Sequence, residues 1–473
     1  MIPIELSFHG AAGTVTGSKH LLHVGERKIL LDAGLFQGMK HLRQRNWREP
    51  GFDPAAVDTV LLSHTHIDHV GYLPRLVKLG LDAPVHMTPA AYELSKLMLL
   101  DSAKIQREDA RRANRRGYSR HKPALPLYDG KDARRALAMR REQPYDEWFE
   151  VAGSDTRARL RNAGHLLGSA FVEIEIGSNA GKRPLRVTFS GDIGRMAVPL
   201  HPDPQAPAPC DVLILESTYG DRLHATDPVA DQVAEPFGRC LRAGGIVLIP
   251  AFAVGRSQQI TLILRRLMQR GVIPEVPIHI DSPMAVDATA IYSRFLNEKN
   301  VDLDVFEDGR LRLFPHDVHF HRSVDESKQL NQLTGPRVLV SSSGMMTAGR
   351  ILHHFKRLAP DPKNLLALVG YQAVGTRARD LLDGAEQVRV HGAWIRTRCQ
   401  VLSLQGMSGH ADREGLLAWV GAAASPPKVI YLVHGEPSAA AALRSHLRRR
   451  FGCHVHIAQM DQRVDLRAAL ASH

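Results

Sequence analysis

A chain of 473 residues with 44% hydrophobic and 23% charged side chains is too long for one core and reads as a globular protein of two or three domains. It has no apolar run long enough to span a bilayer, and the start "MIPIELSFHGAAGTVTGS" lacks the basic-then-apolar order of a secretory leader, so no membrane association and a cytoplasmic location are expected. Cys210, Cys240, Cys399 and Cys453 form no CxxC pair and read as reduced thiols, while a net charge of +12 leaves a polyanionic partner in play.

In chain order, "IELSFHG" and "KHLLHVGERKILLDAG" predict strands, the second stretch a hairpin closed at Gly25-Glu26. "VDTVLLS" is a buried-strand run that ends at "HTHIDH". The stretch from Asp101 to Glu142 follows, with 13 Lys/Arg against 6 Asp/Glu. Such a run is either a solvated helical face or a surface for a phosphate backbone. "AFVEIEIG" and "RPLRVTFSGD" predict further strands, and the Pro-rich "PDPQAPAP" at 202–209 marks a crossing between domains. A second series then begins with "CDVLILEST", "GGIVLIP", "PIHIDSP", "PRVLVSSSG" and "LLALVGY". Each is an apolar strand ending in a small or polar turn, and "GRSQQITLILRRLMQR" is an amphipathic helix between two of them. Strand, loop and helix in repetition predict a parallel sheet with working loops at the strand C-termini. "KVIYLVHGE" and the helix "PSAAAALRSHLRRR" close the series.

The chemistry concentrates in His64-Thr65-His66-Ile67-Asp68-His69. Imidazole nitrogens and carboxylate oxygens suit Zn²⁺. Alternation along the strand sends His64 and His66 the same way, and the turn that follows lets Asp68 and His69 face a second site. Further candidate ligands stand at strand ends: His165 in "NAGHLLGSA", Asp192 in "FSGDIGR" and His434 in "YLVHGE".

In this order the residues resemble the metallo-β-lactamase superfamily over nearly the whole chain. The resemblance implies one zinc on His64, His66 and His165, a second on Asp68, His69 and His434, and Asp192 bridging the two. Asp32 of "ILLDAG" would support the metal loop from behind. Between Asp192 and His434 the chain resembles the β-CASP nucleases. Glu216 in "LILESTYGDR", His410 in "QGMSGHADR" and His434 match their motifs A, B and C, and "PAFAVGRSQ" (Arg256), "DSPMA" (Asp281) and "SSSGMMTAGR" (Ser341 to Arg350) match as well. Histidine at the third motif is the pattern of RNA-directed members. The chain departs from the pattern after "GYQAVGT", where Arg377-Ala378-Arg379 stands in place of a "GR", and it shows neither the C-terminal extension of ribonuclease J nor an N-terminal KH-like module.

The fold class that follows is α/β: a metallo-β-lactamase αββα sandwich over residues 1–207 and 399–473, with an α/β β-CASP domain on a mainly parallel sheet inserted at 208–398. The function that the resemblance implies is a zinc-dependent ribonuclease with two Zn²⁺ per chain and RNA as substrate, expected to leave 5′-phosphate and 3′-hydroxyl ends; a homodimer is left open. Asp68, His410, Glu216 and Asp32 are the expected catalytic residues. Two metals lower the pKa of a shared water toward ~7 and clamp the phosphate. His410, charged by Glu216, would protonate the leaving 3′ oxygen. Ser341, Ser342, Ser343, Gly344, Arg256 and Arg350 would bind substrate phosphate, although the serine loop also fits an ordinary strand-to-helix cap. Phe252 is expected to pack rather than to stack on a base. A small-molecule hydrolase acting on thioesters or lactones is the rival enzyme, and an RNA-binding scaffold the non-catalytic rival, against which the intact ligand set argues.

Overall fold

The computed structural model describes the chain except residues 1, 118, 120, 152, 154, 178–182, 199, 225–227, 296–305, 308–309, 312–317, 371, 373, 405–406 and 473. It parts into two compact units. The first comprises Met1–Met196, Asp203–Leu223 and His410–His473, and the second Ala197–Pro202 and His224–Gly409.

Unit 1 is two sheets face to face. In the first, Arg463–Asp465, Ile4–Phe8, His20–Val24, Arg27–Leu31, Thr59–Leu61, Val85–Met87 and Arg140–Glu142 lie in that spatial order. In the second the order is His454–Ile457, Val429–Val433, Val212–Glu216, Leu185–Phe189, Ala170–Ile176, Thr156–Asn162 and Phe149–Glu150. The expected hairpin closes at Gly25-Glu26, with Val24 opposite Arg27. Ile4, Leu6 and Phe8 from one sheet and Val172, Ile214 and Tyr431 from the other share a single apolar layer. Helices cover both outer faces. Leu73–Lys78, Pro89–Arg116 and Gly130–Ala138 do so on one side, through Leu76, Leu99 and Ala133. Arg413–Gly421 and Pro437–Phe451 do so on the other, through Trp419 and Leu443. The result is the expected αββα sandwich, and it follows from burial: a sheet apolar on both faces needs a partner on each.

Val212–Glu216, expected to open the inserted domain, pairs in parallel with Leu185–Phe189 and Val429–Val433. All five of its residues are buried, so it requires a neighbour on each edge, and unit 1 supplies both. Conversely Gln400–Leu404, expected to return to the sandwich, pairs with Leu365–Val369 in unit 2.

Unit 2 holds a six-stranded sheet in the order Val318–Phe320, Ile278–Asp281, Arg337–Ser341, Ile246–Pro250, Leu365–Val369 and Gln400–Leu404. Its pairings are parallel, as the strand-loop-helix reading predicts. The helix Arg256–Gln269 packs Ile260, Ile263, Leu264 and Leu267 onto one face. Among the described residues no helix is long and apolar enough to cross a membrane.

Trp419 anchors the outer layer of unit 1. It is 0% exposed, meets Phe171 edge-on at 5.2 Å and donates its indole N–H to the Gln205 carbonyl at 2.8 Å. Trp419→Ala leaves both a void and an unmet acceptor, and should cost about 3–5 kcal/mol. Denaturant unfolding followed by circular dichroism checks this; a midpoint unchanged from wild type contradicts the packing described.

Candidate metal centre

The strands of unit 1 end together. Asp32 follows Arg27–Leu31, His64 follows Thr59–Leu61, His165 follows Thr156–Asn162, Asp192 follows Leu185–Phe189, Glu216 ends its strand, and His434 follows Val429–Val433. His66 caps the short helix Ile67–Val70, whose first turn carries Asp68 and His69. A close backbone approach makes this possible. Ser18 and Ala33 donate to the carbonyls of Asp68 and His69 at 2.8 and 2.7 Å, and a Cβ on Gly34 would lie 1.6 Å from the Asp68 oxygen. Only glycine fits there.

Two donor sets result. In the first, His64 Nε2 is 3.1 Å from His66 Nδ1, which is 3.1 Å from His165 Nε2, and Asp192 Oδ2 is 3.3 Å from His64 Nε2. In the second, His69 Nε2 is 3.1 Å from His434 Nε2, and Asp68 Oδ2 is 3.6 Å from His434 Nε2. Within each set the donor atoms lie within 4.8 Å of one another. Asp192 reaches both, because its Oδ2 is also 3.3 Å from His69 Nε2.

These spacings fit a small cation. Ring nitrogens that face one another with lone pairs repel unless a proton or a metal lies between them. A tetrahedral zinc with bonds of ~2.0–2.1 Å sets its ligands about 3.3 Å apart. Asp192 Oδ1 is buried without a hydrogen-bond partner, an oxygen that a cation would satisfy. Burial holds His64 well below the ordinary histidine range and His66 at about 4, so both rings are neutral and keep the lone pair that a metal needs.

Asp32 organises the set from behind. It is 0% exposed, and its carboxylate accepts from Ser18 Oγ at 3.0 Å, from the Ser63 amide at 2.8 Å, from Ser63 Oγ at 3.0 Å and from His69 Nδ1 at 2.7 Å. The last bond turns His69 Nε2 toward the centre. Asp32 and His434 both hold positive φ, 60° and 48°, strained backbone of the kind that concentrates at working sites.

His410 stands beside the ligands. Its strand-like bridge to Gly194 places Nδ1 3.0 Å from Glu216 Oε2 and 3.8 Å from Asp192 Oδ2. Burial pulls its pKa down, but the Glu216 and Asp192 carboxylates outweigh it and raise the ring to about 9, so it is charged at neutral pH. Sequence reasoning missed Thr218. Its hydroxyl donates to Glu216 Oε2 at 2.6 Å and lies 3.0 Å from His434 Nδ1. With that proton committed to Glu216, the Thr218 oxygen accepts from His434 Nδ1–H and leaves the Nε2 lone pair for the centre. The only sequence signal was a hydroxyl residue two positions past a strand-end glutamate.

The expected phosphate-binding residues lie in unit 2. Ser341 is 1% exposed and donates its hydroxyl to the Asp281 carbonyl at 2.9 Å. Ser342 Oγ pairs with Ser282 Oγ at 2.9 Å, and Ser343 Oγ accepts from the Thr347 amide at 3.1 Å. A Cβ on Gly344 would meet Phe252 at 2.9 Å. Arg256 donates to Gln259 at 2.6 Å. Arg350 binds Asp281 at 2.6 Å and the Arg322 carbonyl at 2.7 Å, an anchor demanded by a carboxylate with 0% exposure. Arg377 donates to the carbonyls of Met346 and Thr347 at 3.0 Å and so braces the same loop.

Residues 16–142 match the metallo-beta-lactamase superfamily, 257–381 the Beta-Casp domain, and 394–458 the Zn-dependent metallo-hydrolase RNA specificity domain. The chain belongs to the β-CASP family of metallo-β-lactamase-fold metallo-hydrolases. It is 37% identical to "Ribonuclease TTHA0252" of Thermus thermophilus, over 96% of this chain and 98% of that one. It is 30% identical to "Transcription termination factor FttA" of Pyrococcus horikoshii, over 95% of this chain and 69% of that one. A solved structure of a protein of unknown function from Enterococcus faecalis shares the fold, with a TM-score of 0.53 at 12% identity over 98% of this chain and 99% of that one.

Thr218 gives a test of the tie between ligand and dyad. Thr218→Val should weaken zinc retention about 10–100-fold, the usual effect of losing a ligand's hydrogen-bond partner, while Thr218→Ser should keep it. Zinc content after dialysis against graded chelator reads the difference; equal retention in both variants contradicts the assigned bond.

Proposed function

We propose that this chain is a ribonuclease that hydrolyses RNA phosphodiester bonds at this centre with two zinc ions, leaving 5′-phosphate and 3′-hydroxyl ends. One observation carries the reading: a single carboxylate, Asp192, stands within reach of two histidine-rich donor sets, and a charged histidine stands beside it. The RNA-specificity match over 394–458, the ribonuclease relative and histidine at position 434 support RNA as the substrate.

His64, His66, His165 and Asp192 would hold one ion, and Asp68, His69, His434 and Asp192 the other. When bound, the pair supplies an acidified water nucleophile and charge compensation for the phosphate. The protein supplies the rest. Asp32 and Thr218 fix which nitrogen His69 and His434 present. Glu216, 0% exposed and accepting from the Ile193 amide at 2.7 Å, cannot swing away from His410. With Nδ1 held by Glu216, proton delivery to the leaving 3′ oxygen falls to His410 Nε2.

This division predicts that two neighbouring histidines fail differently. His434→Ala should lose zinc and activity together. His410→Ala should keep both zincs and still bind RNA, but lose on the order of 10²–10⁴ in rate. A substrate with a 3′-bridging phosphorothiolate, whose thiolate leaves without a proton, should restore much of the His410→Ala loss and little of the His434→Ala loss. Single-turnover kinetics beside elemental analysis decides; zinc loss in His410→Ala, or equal rescue, reverses the roles.

The basic stretch adds affinity. Arg111, Arg112, Arg115 and Arg116 are all exposed on the last turns of the helix Pro89–Arg116. Replacing the four with alanine should flatten the dependence of log Kd on log salt by up to ~0.7 per lost contact with single-stranded RNA, and raise KM with kcat nearly intact. RNA binding measured across a salt series checks it; an unchanged slope leaves the stretch a solvated face.

A further inference from the structure

Unit 1 has a second concavity of about 520 Å³, none of whose lining residues belongs to the metal set. Its floor is the first sheet, with His9, Lys19 and Lys28, and its wall is the segment that carries Phe36, Arg45, Arg48 and Phe52.

Its charges are poorly matched. Lys19 is 2% exposed, and its Nζ donates to the Gly17 and Gly34 carbonyls at 2.9 and 2.7 Å, lying 4.4 Å over the Phe36 ring and 4.9 Å over that of Tyr72. No carboxylate pairs with it among the described residues, and a buried ammonium without a counter-charge is costly. Burial alone lowers its pKa to about 7. His9 has an 8% exposed side chain and a buried Nδ1 without a hydrogen bond, 3.4 Å from the nearest carboxylate, Asp461. Lys28, Arg45 and Arg48 make no ion pair among the described residues. Arg463 is taken by Glu5, and of the acids on the rim Asp53 caps the Ala55 amide at 3.0 Å. Among the lining acids that leaves Glu49, and Asp461 beside His9, against Lys28, Arg45, Arg48 and the partly charged Lys19.

The cavity therefore carries an excess of positive charge that suits an anionic ligand, and an aromatic side chain on its wall narrows the choice. The volume lies in the range of small-ligand sites. We propose that the cavity binds a free mononucleotide, its phosphate monoester held by Lys19, Arg45 and Arg48 and its base set against the half-buried Phe52. The site is separate from the hydrolytic centre and needs no metal.

Calorimetric titration of adenosine 5′-monophosphate into the full chain carrying Asp192→Ala, stripped of metal with chelator, tests the proposal without a contribution from zinc. Chelator-stripped wild type serves as the second preparation. One-to-one binding is expected in both, with adenosine and inorganic phosphate each at least ten-fold weaker than the nucleotide. Arg45→Ala/Arg48→Ala, placed at half-buried and exposed positions where folding is not at stake, should weaken binding at least about ten-fold. Absence of binding, adenosine binding as tightly as the nucleotide, or an unaltered affinity in the double variant would each overturn it.

Discussion

One buried carboxylate holds the centre together. Asp32 has no exposure, and a charge so placed persists only if its lone pairs are met. The donors that meet it come from three stretches of chain, at Ser18, Ser63 and His69. Satisfying one desolvated group therefore docks the end of the strand before the histidine loop, the loop itself and the segment that leads into the second strand. The positive φ at Asp32 is the local cost of aiming it, and the Gly34 contact shows how closely the chains must pass.

The histidines at this centre differ by what faces them. His64 and His66 look onto one another and onto His165, so burial keeps them neutral and basic only toward a metal. His410 looks onto Glu216 and Asp192, so the same burial fails to discharge it. A residue type that sequence alone treats as uniform thus meets different surroundings: burial prevails at His64 and His66, whereas carboxylates from distant strands prevail at His410 and, through Asp192 and Asp32, at His69. Thr218 joins His434, Glu216 and His410 in one hydrogen-bonded run.

Much of this was legible in the sequence, for identifiable reasons. "HTHIDH" is local: its spacing and the apolar strand before it already bring ligand types together. The αββα sandwich and the parallel sheet of unit 2 followed from the order of apolar runs. Domain edges were not legible, because whether Val212–Glu216 or Gln400–Leu404 belongs to one sheet or another depends on which edge is vacant, and that is a property of the whole fold. Thr218 was hidden because a hydroxyl acquires meaning only from neighbours 216 residues away. Ser341 and Arg350 carried a motif, yet the structure spends both around Asp281, a buried charge whose needs a linear reading does not weigh.

The discontinuity of unit 1 has a kinetic side. His69 and His434, whose ring nitrogens stand 3.1 Å apart, are separated by 365 positions, with all of unit 2 between them. On a ribosome the N-terminal stretch would emerge with its histidine loop already written but before the strand Val429–Val433, which belongs to the facing sheet and leads into His434. Contacts so distant form late, since the loop they close is long. A nascent chain of this design passes through synthesis with its histidine cluster incomplete, and unit 2 has the time to fold as a unit before the sandwich closes.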